Sequence, residues 1–147
     1  MTSLLSLLQL IEKHSLQLHE CLLQEKQALD ASQYEWLCEL STEKQSLVEQ
    51  LQGLDQQREA FAPGEDFNTY IASSAEPALI SQWDKSREVI RLCQQQNEVN
   101  GRLLFKRNQL NLETLAILSG RDKPSSQTYN AQGGQAQNNS MLTGIKV

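Results

Sequence analysis

Apolar side chains return every three or four positions along the first stretch of the chain. Leu4, Leu8, Ile11, Ser15, Leu18, Leu22, Glu25 and Leu29 step alternately by four and three, and Leu5, Leu7, Leu16 and Leu23 widen the line. This periodicity predicts an amphipathic helix over roughly 3–29 with a broad buried side. Asp30-Ala31-Ser32 then interrupts the pattern. Ser32 and Glu35 have the S-x-x-E spacing of a capping box, so a second helix is expected to begin there. Its line is Leu37, Leu40, Lys44, Leu47, Leu51, Leu54, Arg58 and Phe61, and Pro63-Gly64 stops it. So short a link between two amphipathic helices predicts an antiparallel hairpin. Cys21 and Cys38 lie at similar distances from the break and are expected to be small buried hydrophobes facing each other across it.

In the next connector, Phe67, Tyr70 and Ile71 have the spacing of one helical turn and are expected to cap the end of the bundle. Ser73 and Glu76 offer a second capping box, and Pro77 suits a first helical turn. A third helix follows over about 75–119. At about 1.5 Å per residue it is roughly 65 Å long, against about 40 Å for each of the first two. It must therefore bend or project beyond the hairpin. Its line is Trp83, Ile90, Cys93, Asn97, Asn100, Leu104, Asn108, Asn111, Leu115 and Leu118. Four asparagines thus occupy positions where the pattern requires apolar side chains. Asn97 and Asn100 are open to two readings, polar core residues that set helix register or a surface awaiting a partner. Asn108 and Asn111 lie where the helix outruns its neighbours, and a surface or groove role is expected for them. Ser119-Gly120, with Arg121, Lys123 and Pro124 close by, ends the helix.

The expected fold is all-α: an antiparallel helical hairpin plus a longer third helix, forming a domain over 1–119. Residues 120–147 differ in composition, being rich in Gly, Ser, Gln and Asn. Such a stretch cannot build a core and is expected to be a mobile, partner-binding tail. Tyr129 is its lone aromatic, and Met141, Leu142 and Ile145 would share one helical face on a partner.

Composition narrows the class. Leu, Gln and Glu dominate and aromatics make up 5%, the profile of a long-helix protein. No apolar run reaches the roughly 18 residues of a membrane span, and the N-terminus lacks the features of a signal peptide. Three cysteines without CxxC spacing suit reduced thiols, so a cytoplasmic location without membrane insertion is expected. The net charge of −5 is uneven: residues 1–60 carry −6, whereas 83–118 carry +2. Nothing forms the basic footprint of a nucleic-acid binder. His14 and His19 are five apart, not the i, i+4 pair of a helical metal site. With no phosphate-binding loop or nucleophile elbow, no catalytic, metal or cofactor site is expected. Helix-mediated protein binding remains, either to a cargo or as a coiled-coil scaffold that dimerises through its leucine stripes.

Three short elements carry a family resemblance. They are Asn97, Asn100 and Gly101 in QNEVNGRLL, Leu115 and Leu118 before the helix stop, and Tyr129, Asn130 and Gly133 in YNAQG. Together with the helical architecture of the whole chain, they resemble the FlgN family of flagellar export chaperones. The resemblance implies a cytosolic, non-catalytic protein without cofactors. It would hold hook-associated proteins by their C-terminal helical segment, prevent premature assembly and deliver them to the export gate. Asn108, Asn111, Leu115, Leu118, Met141, Leu142 and Ile145 would bind cargo. Tyr129 would dock on the cytosolic domain of the export-gate membrane protein, while Asn97, Asn100, Gly101 and Gly133 belong to the family motif. Asn130 stands where an acid is commoner in the family, so no role resting on a charge is implied there.

Overall fold

The computed structural model describes residues 3–119. These form α1 (Leu4–Asp30), α2 (Tyr34–Glu59), a short α3 (Phe67–Ser73) and α4 (Pro77–Ser119). The described chain is all helix and connector, as the periodicity requires. Residues 120–147, with Tyr129, Gly133, Met141, Leu142 and Ile145, lie outside the described residues.

Ser3 starts α1, its Oγ accepting the Ser6 backbone N–H at 3.2 Å. The helix ends differently from the expected capping box. Ser32 adopts φ +55, and the Gln33 N–H returns to the Ala28 carbonyl at 2.9 Å while the Ser32 N–H reaches Leu29 at 3.3 Å. This pair of bonds is a Schellman stop, with serine where glycine is usual. Ser32 is therefore committed to ending α1, and Gln33 precedes α2 without a side-chain cap. The second expected box shifts too. Ser73 belongs to α3, and it is Ser74 Oγ that accepts the Glu76 N–H at 3.3 Å before Pro77 opens α4. Between α2 and α3, Gly64 turns at φ +73, a conformation that favours glycine.

α1 is the central helix, packed along both α2 and α4. It runs antiparallel to α2 and parallel to α4, an up-down-up arrangement. The parallel pair is tied by a ladder of seven-residue steps. Ser86 Oγ donates to the Leu8 carbonyl at 3.0 Å, Cys93 Sγ to Ser15 at 3.2 Å, and Asn100 Nδ2 to Leu22 at 2.8 Å. Seven residues further along α4 and eight along α1, Arg107 Nη2 donates to the Asp30 carbonyl at 3.1 Å. A helical carbonyl has a second lone pair beyond the one its own helix uses, and short donors let the axes come close. Between the rungs, Leu8, Leu18 and Leu22 are fully buried, each contributing roughly 1.5–3 kcal/mol by leaving water.

The lower end is plugged as expected by Phe67 and Ile71 of α3. Trp83 meets Phe67 edge-on with ring centroids 4.8 Å apart, and its Nε1 donates to Asn68 Oδ1 at 2.7 Å. The buried Arg58 guanidinium lies 4.6 Å from the Phe67 ring centroid, and its Nε donates to Asp55 at 2.8 Å. A cation held between aromatic faces and a carboxylate keeps its charge compensated inside the plug. Cys21 is buried and donates to the Leu40 carbonyl, but Cys38 is exposed, contrary to the expected pairing. Cys38 lies one position off the apolar line of α2 and turns its thiol outward.

Candidate functional site

Two features stand out: a polar node near the top of the bundle, and the end of α4 above it. The node comes from residues that break the apolar lines of three different helices. Glu25 of α1, Lys44 of α2, and Asn97 and Asn100 of α4 converge there. Lys44 Nζ donates to Asn97 Oδ1 at 2.6 Å and lies 3.4 Å from Glu25 Oε1. Asn100 Nδ2 donates to that same Glu25 oxygen at 2.9 Å, besides its bond to Leu22. Gln96 Nε2 completes it by donating to Asn100 Oδ1 at 2.9 Å. Asn97 and Asn100 are 3% and 2% exposed, so these two turn inward. Of the two open readings, the register-setting one matches their position. Each amide meets a partner that only one sliding register of the helices supplies, and a slipped register would strand a buried charge.

Beside the node a cleft of about 250 Å³ opens between α2 and α4. Leu29, Leu37, Val48, Gly101 and Leu104 line it, together with the exposed Cys38. Gly101, the last residue of the N-x-x-N-G element, is half-buried in that lining.

Above the cleft, Arg107 marks the level of the hairpin turn, its Nη1 donating to Ser32 Oγ at 2.5 Å. The remaining 108–119 continue as helix for about 18 Å with neither α1 nor α2 alongside. Asn108 is half-buried at the border and Asn111 is exposed. Leu115 and Leu118 are 60% and 78% exposed. Leu110 and Ile117, absent from the line read in the sequence, are exposed as well and lie about a quarter-turn away on another face. Their seven-residue separation was the available signal. An end apolar on more than one face is suited to being enclosed by a partner.

The two buried thiols, Cys21 and Cys93, have no reactive setting. Burial pushes Cys93 up to about 12. Burial, then the nearby Glu43 and Glu25 carboxylates, pushes Cys21 up to about 11. Both stay protonated at neutral pH, the opposite of an activated nucleophile. Among the described residues, no group of three His, Cys, Asp or Glu side chains is placed to hold a metal ion, and no helix is long and apolar enough to cross a membrane.

Three long helices packed up-down-up around a central α1, with no strand among the described residues, define a class, the all-α helical bundles. The model of the FlgN family, described as FlgN protein, matches residues 1–137, and the chain belongs to that family of flagellar export chaperones. Neither the comparison with curated proteins nor that with solved structures finds a match.

Proposed function

We propose that this chaperone binds hook-associated proteins by their C-terminal helical segment, keeps them from assembling early, and delivers them to the flagellar export gate. The observation that carries this reading is the apolar surface at the end of α4, where Leu110, Ile117 and Leu118 are 53–79% exposed. A cargo segment destined to pair with its own kind must be covered beforehand. An apolar helix end can cover it by helix-to-helix packing and still let go, because the grip rests on modest area. Asn108, Asn111, Leu115 and Leu118 form the contact on α4. Met141, Leu142 and Ile145 extend it along the tail. Tyr129 docks the loaded chaperone on the cytosolic domain of the export-gate membrane protein. The work is done in the cytoplasm and needs no cofactor.

Calorimetry with a purified hook-associated protein tests the cargo step. Leu115→Asp/Leu118→Asp should weaken binding by at least about tenfold, since two desolvated apolar contacts are lost. Undiminished binding by that variant would refute the role of α4. Tyr129→Ala should leave cargo binding nearly intact and weaken capture by the gate domain; the reverse result would contradict the division of labour.

A further inference from the structure

α1 and α4 carry a second apolar line that the core does not use. On α4, Ser86, Cys93 and Asn100 face α1, and Asn97 turns toward Lys44 of α2. Leu92, Val99, Leu103 and Leu110 lie about a quarter-turn beyond the α1-facing line, on the side away from α2. On α1, Cys21 and Glu25 turn toward α2. Leu16 and Leu23 emerge past the α4-facing line, again on the side away from α2. Because α1 and α4 are parallel and in register, the two lines run side by side. They make one apolar strip on the back of the pair, opposite α2. Leu16, Leu92, Val99 and Leu110 are 50%, 37%, 40% and 53% exposed along it. Of the α4 charges nearby, Glu88 pairs with Arg91 and Glu98 with Arg102, while Lys106 is exposed at the edge of the strip.

We propose that the segment bearing Met141, Leu142 and Ile145 docks on this back strip of its own chain when no cargo is held. Three observations select that occupant. First, reach: the 18 residues 120–137 separate the segment from α4 and span up to about 60 Å, whereas the return from Ser119 to the level of Val99 is about 30 Å. Second, chemistry: Met141, Leu142 and Ile145 make one narrow apolar face, matched to a strip one side chain wide on each helix. The front cleft has Glu25 and Lys44 in its lining and suits such a face less. Third, tethering: a segment joined by a short linker acts at an effective concentration on the order of millimolar, well above a second copy in micromolar solution. The consequence rests on the reading under Proposed function. Cargo must displace the segment from the strip, so the chaperone masks its own apolar surface until loaded.

Disulfide trapping of the full-length, cargo-free protein tests this. In a Cys38→Ser background, Ile145→Cys with Val99→Cys should form an intrachain disulfide at least about tenfold faster than Ile145→Cys with Thr42→Cys, whose second thiol is exposed on α2 at a similar level of the bundle. Leu16→Asp/Leu92→Asp should abolish that advantage. Equal rates for the two pairs would overturn the proposal. So would cross-linked dimers as the main product, which assign the strip to a second copy. In a parallel chain that keeps Cys38 and carries Ile145→Cys alone, faster bonding to Cys38 than the Val99→Cys pair shows would also overturn it, placing the segment in the front cleft. Circular dichroism checks that each variant is folded, and Leu103→Cys replaces Val99→Cys if needed. Since no cargo is present, a negative result here leaves the cargo reading untouched, and a failure of cargo binding leaves this result standing.

Discussion

Replacing Lys44 with Met strands Glu25. The ammonium lies 3.4 Å from the Glu25 carboxylate and 2.6 Å from Asn97 Oδ1, with the Lys44 and Glu25 side chains 14% and 11% exposed. Met preserves most of the aliphatic stem and its packing, so the change is mainly electrostatic. Glu25 then keeps one donor of the node, Asn100 Nδ2 at 2.9 Å. Breaking a buried ion pair by removing one partner costs about 3–5 kcal/mol. The long contact and the residual exposure place this pair lower, at about 2–3 kcal/mol. Adding Glu25→Gln removes the stranded charge while keeping a side chain that accepts from Asn100. The double variant should return to within about 1 kcal/mol of the parent, so the coupling between these adjacent sites is at least about 1–2 kcal/mol. Urea unfolding followed by circular dichroism measures all four corners of the cycle, provided the m-value is constant. A loss below about 1 kcal/mol for Lys44→Met, or a Glu25→Gln effect that adds to the loss, would refute the node as one coupled unit. Cargo affinity per folded molecule should be unchanged in every corner, because the node lies below the α4 end proposed to hold cargo.

The Ser15 hydroxyl is fully buried and finds no hydrogen-bond partner, so Ser15→Ala should leave stability unchanged or raise it by up to about 1 kcal/mol in the same unfolding assay; a clear loss would point to a bound water. A thiol reagent at pH 8 should modify Cys38 at once, and Cys21 and Cys93 only after denaturant is added; rapid labelling of all three would contradict the packing. Cys21 and Cys93 hold their protons more tightly when folded than the ordinary value of 9.0, so their stabilising effect is complete below pH 9 and is lost as pH rises toward about 11 and about 12. Unfolding free energy should fall across that window by at most about 1.4 kcal/mol per pH unit per thiol, and Cys93→Ala should make the fall shallower.

The helices themselves were legible because their signals are local. Leucine spacing, the Asp30–Ser32 and Pro63-Gly64 breaks and the Phe67–Ile71 turn each depend on neighbours a few residues away, and all match the described elements. The excess length of the third helix was legible for the same reason, since rise per residue is constant. The stop signals were less so. Ser32 has the spacing of an N-cap, yet the chain uses it at φ +55 to end α1, because both roles accept a small polar residue at the same point.

What pattern could not decide was pairing. Ser15, Glu25, Lys44, Arg58, Asn97 and Asn100 each looked like a flaw in an apolar line. Four of them, from three helices, become one node only when α1, α2 and α4 assume their mutual register, and contact across 19 to 78 residues leaves no trace in local periodicity. The same holds for the back strip. Leu16 and Leu92 are ordinary helix positions until parallel packing brings them to one level of the bundle. Local sequence determines which face of each helix is apolar; only the assembled bundle determines which apolar face is spent inside and which is left for a partner.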